Sequence, residues 1–264
     1  MIPTLQVLFD AVAGGAVEEY GGNPRWTGVA ANFVESLDGV VALPEARGES
    51  GGVVSGGSEA DRFIMGLLRA CADAVLIGAG TLRATPGHLW TPGHVWPETD
   101  GFAALRQARG RPAKPELIVA TARGDLPAGH PALRAGAVIA TTAAGARRLD
   151  GRVPAASCVL IVGDSPALRP AELITAIRAR GHACVLTEGG PGLLGQLVRD
   201  GLVDELFLTV APVLAGRAGT PRPGLVAGLE VLPGRRSPAR LLSVRQSASY
   251  LFLRYRLRMP RRSR

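Results

Sequence analysis

Glu188 stands between an apolar run and two glycines in "LTEGGPGLLGQL" (186–197). An acid followed by Gly189, Gly190 and Pro191 at a strand-to-helix turn is either a tight turn or an anion cradle with a carboxylate on its rim. Helix N-termini offer unpaired N–H groups, and glycine lets a phosphate reach the backbone. A second turn of this kind, "LIGAGTLRA" (76–84), carries Gly78, Gly80 and Thr81. Two such turns in one parallel sheet suit a dinucleotide pyrophosphate better than either alone. Thr121 and Arg123 in "ATARGD" (120–125) follow another strand end, where a hydroxyl and a guanidinium suit a 2′-phosphate and favour NADP over NAD. A capped turn with a surface arginine reads equally well there. Asn32 and Asp38 flank a buried strand in "ANFVESLDG" (31–39), and Asp38-Gly39 is by itself a turn signal. Gly190, Gly192 and Gly195 spell GxGxxG, but the region about 20 residues on, "APVLAG", lacks the acid that a Rossmann site places on its ribose.

Other chemistries are disfavoured. Cys71, Cys158 and Cys184 are odd in number, far apart and set in apolar segments, so they read as reduced core residues of a cytoplasmic protein. No CxxC or HxE pattern exists, and the four histidines lack ligand spacing, which leaves no expected metal site. No apolar run approaches the roughly 20 residues of a membrane span. The N-terminal stretch has early acids and no basic segment, unlike a secretory signal. The net charge of +8 is local: Arg235–Arg264 holds ten arginines and no acid, so the preceding residues sum to −2. Within it, "YLFLRYRLR" alternates arginine with apolar residues, a strand with one basic face. A solvated sheet face explains this more simply than nucleic-acid binding, which is not expected.

The elements that would position these residues follow from pattern. Strands are expected at 27–36, 73–78, 115–122, 137–142, 157–163, 182–190 and 203–214, with a closing hairpin over 239–258. Ser58 to Asp61 forms a capping-box pattern that opens a helix with Phe63, Ile64, Leu67, Leu68 and Cys71 on one face. Helices are also expected at 170–181, closed by Gly181, and from Pro191 onward. The Gly/Ser-rich 47–58 and the Pro, His and Trp-rich 85–97 read as loops, the first mobile. Strands alternating with helices predict one α/β domain: a mixed, mostly parallel sheet with helices on both faces and a C-terminal antiparallel hairpin.

Taken in order, "SLDG", "GES" before a Gly/Ser loop, "LLRACADAVLIGAGT", "LTEGGPGLLGQLV" and "VDELFLTVAPVLAG" resemble the reductase half of the riboflavin-pathway deaminase-reductases, the RibD C-terminal reductase domain family. The resemblance runs from about 27 to 258, divides the chain into an extension (1–26), a reductase domain (27–259) and a basic tail (260–264), and implies a dihydrofolate-reductase-like fold. It further implies NADPH along the strand carboxyl ends. Gly78, Gly80 and Thr81 would form one wall, Thr121 and Arg123 would face the adenosine phosphate, and the pyrophosphate would lie on Gly189, Gly190, Pro191, Gly192, Leu193 and Leu194. Asn32, Ser50, Arg69 and Glu188 would meet a small heterocyclic substrate. Asp38 would lie nearest the nicotinamide, with a proton relayed by water near Asp38 or Glu188 as the catalytic pair. A homodimer is implied, and the family's zinc deaminase half is absent. Two departures stand out. Asn32 replaces a family lysine, and "ATPGHLWTPGHVWP" (84–97) replaces a segment with acids and an arginine. Trp90 and Trp96 there would stack on a heterocycle or, more simply, pack. The readings are therefore a 5-amino-6-(5-phosphoribosylamino)uracil reductase, a same-fold reductase of dihydrofolate or a dihydropterin, or a non-enzymatic anion or nucleic-acid binder.

Overall fold

The computed structural model describes residues 26–43, 50–97, 100–234 and 237–257. The expected N-terminal extension, Trp26 excepted, and the basic tail lie outside them. Nine strands form one sheet: β1 (Gly28–Glu35), β2 (Ala74–Gly78), β3 (Glu116–Thr121), β4 (Val138–Thr141), β5 (Cys158–Ile161), β6 (Cys184–Thr187), β7 (Glu205–Val210), β8 (Ala239–Ser247) and β9 (Tyr250–Leu257). Their order is β5-β4-β3-β2-β6-β1-β7-β9-β8. The first seven are mutually parallel; β9 runs antiparallel to β7, and β8 antiparallel to β9.

Side chains alternate between the sheet's faces, and both are covered. Val75, Ile77, Val119 and Ile139 meet Phe63 and Leu67 of α2 (Glu59–Cys71), Phe102 of α5 (Asp100–Ala108), Leu133 of α6 (Pro131–Arg134) and Leu149 of α7 (Ala143–Leu149). Val29, Leu76, Ile118 and Val185 meet Leu173 and Ile177 of α8 (Pro170–Ala179) and Leu194 and Leu197 of α9 (Pro191–Arg199). Helix α2 starts as its sequence dictates: the Ser58 hydroxyl accepts from the Asp61 N–H at 3.3 Å. Its buried Phe63, Leu67 and Leu68 contribute about 1.5–3 kcal/mol each. Its far end is closed from outside. Arg106 of α5 donates to the carbonyls of Arg69, Ala70 and Ala72 at 2.8–3.1 Å, placing a cation against the helix's negative end.

Four readings need correction. "SGGVV" forms a short helix, α1 (Ser50–Val54), rather than loop, because Val54 reaches a small apolar cluster with Val34 and Ala211. "PGHV" forms α4 (Pro92–Val95) inside the supposed loop, and Trp90 is buried in the core while Trp96 packs edge-on against Phe63. The strand expected over 203–214 spans only Glu205–Val210. Cys158 is exposed, because β5 is an edge strand; Cys71 and Cys184 are buried, and none of the three is in a disulfide. Between β2 and the loop before α4 lies α3 (Ala79–Ala84), the helix expected after the GxGT turn.

Candidate active site

Strand order creates the crevice. β2 and β6 are neighbours, yet the chain leaves β2 toward β3 on one side and leaves β6 toward β7 on the other. Ligands of open α/β sheets bind where such connections diverge, outside the strands' carboxyl ends. Both glycine turns sit at that point, pinned by the Glu188 N–H donating to the Leu76 carbonyl at 3.1 Å. A Cβ on Gly190 would meet nothing closer than the Thr81 hydroxyl at 3.5 Å, and one on Gly80 or Gly192 would meet no atom within 4 Å. Their backbones are ordinary, with Gly190 at φ −67°. Neither packing nor φ requires glycine at these positions, so the turns leave a cradle that side chains would fill. Gly190 caps α9 without a side-chain bond; Pro191 has no N–H and the Leu193 and Leu194 N–H groups bond the Gly190 carbonyl, so it is the Gly192 N–H that this helix start turns toward the cradle.

Other glycines in the stretch have structural duties. A Cβ on Gly189 would come within 2.6 Å of Leu193, and one on Gly195 would overlap the Ala227 carbonyl. Leu194 is buried in the core beneath α9 and keeps only its backbone near the cradle. Thr121 ends β3 with its hydroxyl accepting from the Gly124 N–H at 3.2 Å. Arg123 is exposed beside it, on a cleft of about 910 Å³ that Arg148 and Arg152 also line. Sequence reading missed those two arginines, which lie far along the chain.

Arg69 and Glu188 meet each other. Both are nearly out of solvent, with side chains 1% and 8% exposed, and Arg69 Nη2 donates to Glu188 Oε2 at 2.7 Å. Arg69 Nε adds contacts at 3.1 and 3.2 Å, while Nη1 donates to the carbonyls of Leu89 and Thr91. Nη2 also lies 2.8 Å from His88 Nε2, which must accept, placing that ring's proton on Nδ1. All five donors of Arg69 are thereby used within the protein. The segment 84–97 therefore serves as the wall that holds this guanidinium.

Asp38 is a tether. Its carboxylate accepts from the Ser36 hydroxyl at 2.6 Å and from the Ala215 and Gly216 N–H groups at 2.9 Å, which pulls its pKa down to about 2. Near neutrality it is therefore an anion held by the turn it ties together. Ser50 opens α1 and donates to the Leu43 carbonyl at 3.1 Å. Asn32 follows Ala31, the partner of Thr187, so it emerges beside Glu188 and on the same face. It lines a cavity of about 130 Å³ with Ile64, Phe207, Thr209 and Arg245.

Asp61 was legible only as a cap. Its side chain is buried and bonded by the Thr209 hydroxyl; burial and, to a lesser degree, the Glu188 charge push its pKa up to about 6. Sequence offered no sign of this, since Thr209 and Glu188 reach it only through the fold. Among the described residues no group of three His, Cys, Asp or Glu could hold a metal ion, and no helix is long and apolar enough to cross a membrane.

The family described as the RibD C-terminal domain matches residues 27–237. Among solved structures, a pyrimidine reductase-like protein from Corynebacterium diphtheriae is 21% identical, with a TM-score of 0.68, over 98% of this chain and 100% of that one. Acinetobacter baumannii RibD is 19% identical, with a TM-score of 0.67, over 97% of this chain and 68% of that one. A Thermotoga maritima diaminohydroxyphosphoribosylaminopyrimidine deaminase/5-amino-6-(5-phosphoribosylamino)uracil reductase is 18% identical, with a TM-score of 0.62, over 88% of this chain and 57% of that one. These likenesses establish a shared fold. No curated protein sequence matches the chain.

Proposed function

The chain belongs to the RibD C-terminal domain family, and from that premise we propose that it is an NADPH-dependent reductase of a pyrimidine intermediate in riboflavin biosynthesis. The expected substrate is 5-amino-6-(5-phosphoribosylamino)uracil. The observation that carries this reading is the cradle at the β2–β6 crevice, where Gly80, Gly190 and Gly192 leave space no protein atom needs. The residues present fit the cofactor. Gly78, Gly80 and Thr81 face Gly190 and Gly192 across the crevice for a pyrophosphate, and Thr121 and Arg123 offer a hydroxyl and a guanidinium for the 2′-phosphate. When bound, NADPH supplies the hydride; the protein's part is to orient and to exclude water.

The substrate's place is on the other side of β6. Asn32 and Ser50 lie there, with Glu188 at the boundary. Arg69 acts through Glu188 as a positioning residue, since its donors are spent. Asp38 fixes the turn after β1 to the 215–217 loop, shaping the site's rim. Dimerisation through the β8–β9 hairpin belongs to the same reading.

Two features favour a second reading. Asn32 stands where the family's lysine is expected, and segment 84–97 contributes packing and a wall instead of a guanidinium, so a ribose phosphate has two fewer cations to meet. A heterocycle without that phosphate, such as dihydrofolate, is the alternative. The test is NADPH oxidation with each compound. Turnover of the phosphoribosylaminouracil at least tenfold faster than of dihydrofolate is expected; the reverse order selects the alternative, and no oxidation with either overturns the reductase reading.

A further inference from the structure

We propose that His88 is a positioning residue for the substrate: it holds the Arg69 guanidinium that fixes the Glu188 carboxylate, and so sets how tightly a heterocycle is bound. The inference rests on the reductase reading, in which Glu188 borders the substrate's place. It gives a role to segment 84–97, where the chain departs from its family's pattern. Nη2 of Arg69 carries two protons. One goes to Glu188 Oε2 at 2.7 Å and the other to His88 Nε2 at 2.8 Å. Nη1 donates to the Leu89 and Thr91 carbonyls, and Nε remains for the carboxylate. Three acceptors from 88–91 thus hold the part of the guanidinium that Glu188 does not take. Of these three, only His88 is a side chain, so it is the one that sequence can change. Without it a buried N–H of Arg69 would lack a partner and draw the guanidinium away from the carboxylate.

The imidazole is itself held in place. His88 and Arg69 are both buried, 7% and 1% exposed. The His88 ring centre lies 4.9 Å from that of Trp90 and 4.4 Å, edge-on, from that of His94 on α4. Its backbone N–H donates to the carbonyl of Thr85, the residue that closes α3, and the Thr85 hydroxyl donates to the Thr81 carbonyl at 2.9 Å. His88 accepts from Arg69 only as a neutral ring, since an imidazolium would set a second cation against the guanidinium. On the carboxylate, Oε2 takes the short bond, whereas Oε1 receives only the 3.2 Å contact from Nε. Oε1 is therefore the atom left to accept from a ligand, and it suits a flat heterocycle with N–H donors on its edge. Such a bond is made in the ground state and the transition state alike, so loosening it raises KM and spares kcat.

The test uses the full-length protein with NADPH and whichever of 5-amino-6-(5-phosphoribosylamino)uracil and dihydrofolate it reduces. His88→Phe keeps a ring against Trp90 and removes the acceptor. It should raise KM about tenfold or more, with kcat and NADPH affinity within about threefold of wild type. His88→Gln places an amide oxygen near the position of Nε2 and should return KM to within about threefold of wild type. Glu188→Gln should raise KM by itself, and adding His88→Phe should raise it no further, because the imidazole acts through that carboxylate. Independently of turnover, ¹⁵N NMR of histidine-labelled apoprotein should show the His88 ring, identified by its loss in His88→Gln, protonated on Nδ1 and bare on Nε2. A wild-type KM in His88→Phe, a loss confined to kcat, a His88→Gln as impaired as His88→Phe, multiplied effects in the double variant, or a proton on His88 Nε2 each overturn the proposal. A wild type that oxidises NADPH with neither compound overturns the reductase reading and this role with it; an active wild type alongside a His88→Phe of unchanged KM overturns this role alone.

Discussion

At the scale of single residues, the site is organised by carboxyls in different surroundings. Glu188 and Arg69 form a buried pair, so removing one partner strands a charge. Arg69→Met should cost about 3–5 kcal/mol in chemical denaturation, and Arg69→Met with Glu188→Leu should recover most of it. A double variant no more stable than the single one would show that the pair is not the cause. Asp38 and Asp61 should shape stability oppositely with pH. Asp38 titrates below its ordinary value, so its contribution is present above about pH 4 and is lost as pH falls toward 2. Asp61 titrates above its ordinary value, so the folded state holds the extra proton between about pH 4 and 6, and stability falls as pH rises through that window. Asp61→Asn should flatten that decline; a slope unchanged from wild type would contradict it. Legibility at this scale was uneven. Glu188 and Asn32 stood out because polar residues at strand ends break an apolar pattern, whereas Ser50 and Arg69 were marked only by the family resemblance. The saturation of Arg69 did not stand out, because its acceptors come from two distant segments, 88–91 and Glu188, and two of them are carbonyls that no sequence reveals.

At the scale of elements, one glycine-rich stretch does two jobs. Gly190 faces open space, whereas Gly195 lies against the 225–228 segment, where a side chain would overlap the Ala227 carbonyl. Gly190→Val should leave the melting temperature nearly unchanged and weaken NADPH binding at least tenfold. Gly195→Ala should cost about 1–3 kcal/mol of stability and change NADPH affinity little where the protein remains folded. If both lost only stability, the cradle would be a structural turn. Most elements were readable: the capping box at Ser58, the strand at 115–122 and the helix closed by Gly181 each carry a local chemical signature. α1 and α4 were not, because glycine-rich and proline-rich composition masks single helical turns that tertiary packing of Val54 and Val95 stabilises.

At the scale of the whole molecule, the basic C-terminal segment is partly accounted for. Arg254 and Arg256 both reach the buried Glu205, and Arg254 also lies over the Phe207 ring. The alternation read from "YLFLRYRLR" is real, but its basic face closes on an acid of β7. That favours a structural role over nucleic-acid binding. The outer strand β8 exposes Leu241, consistent with an interface there. Sedimentation should show a dimer that Leu241→Glu converts to monomer; a monomeric wild type would remove dimerisation from the reading. The sheet class was legible from alternating strands and helices, while strand order was not, and it is the order that makes β5 an edge and exposes Cys158. The same order, with β6 inserted between β2 and β1, brings the two glycine turns face to face. The most direct test of the reductase account is therefore calorimetric titration of the purified protein with NADPH and with NADH. The account predicts one NADPH per chain, bound at least tenfold more tightly than NADH, with the preference reduced by Arg123→Ala. Binding of neither nucleotide would contradict it.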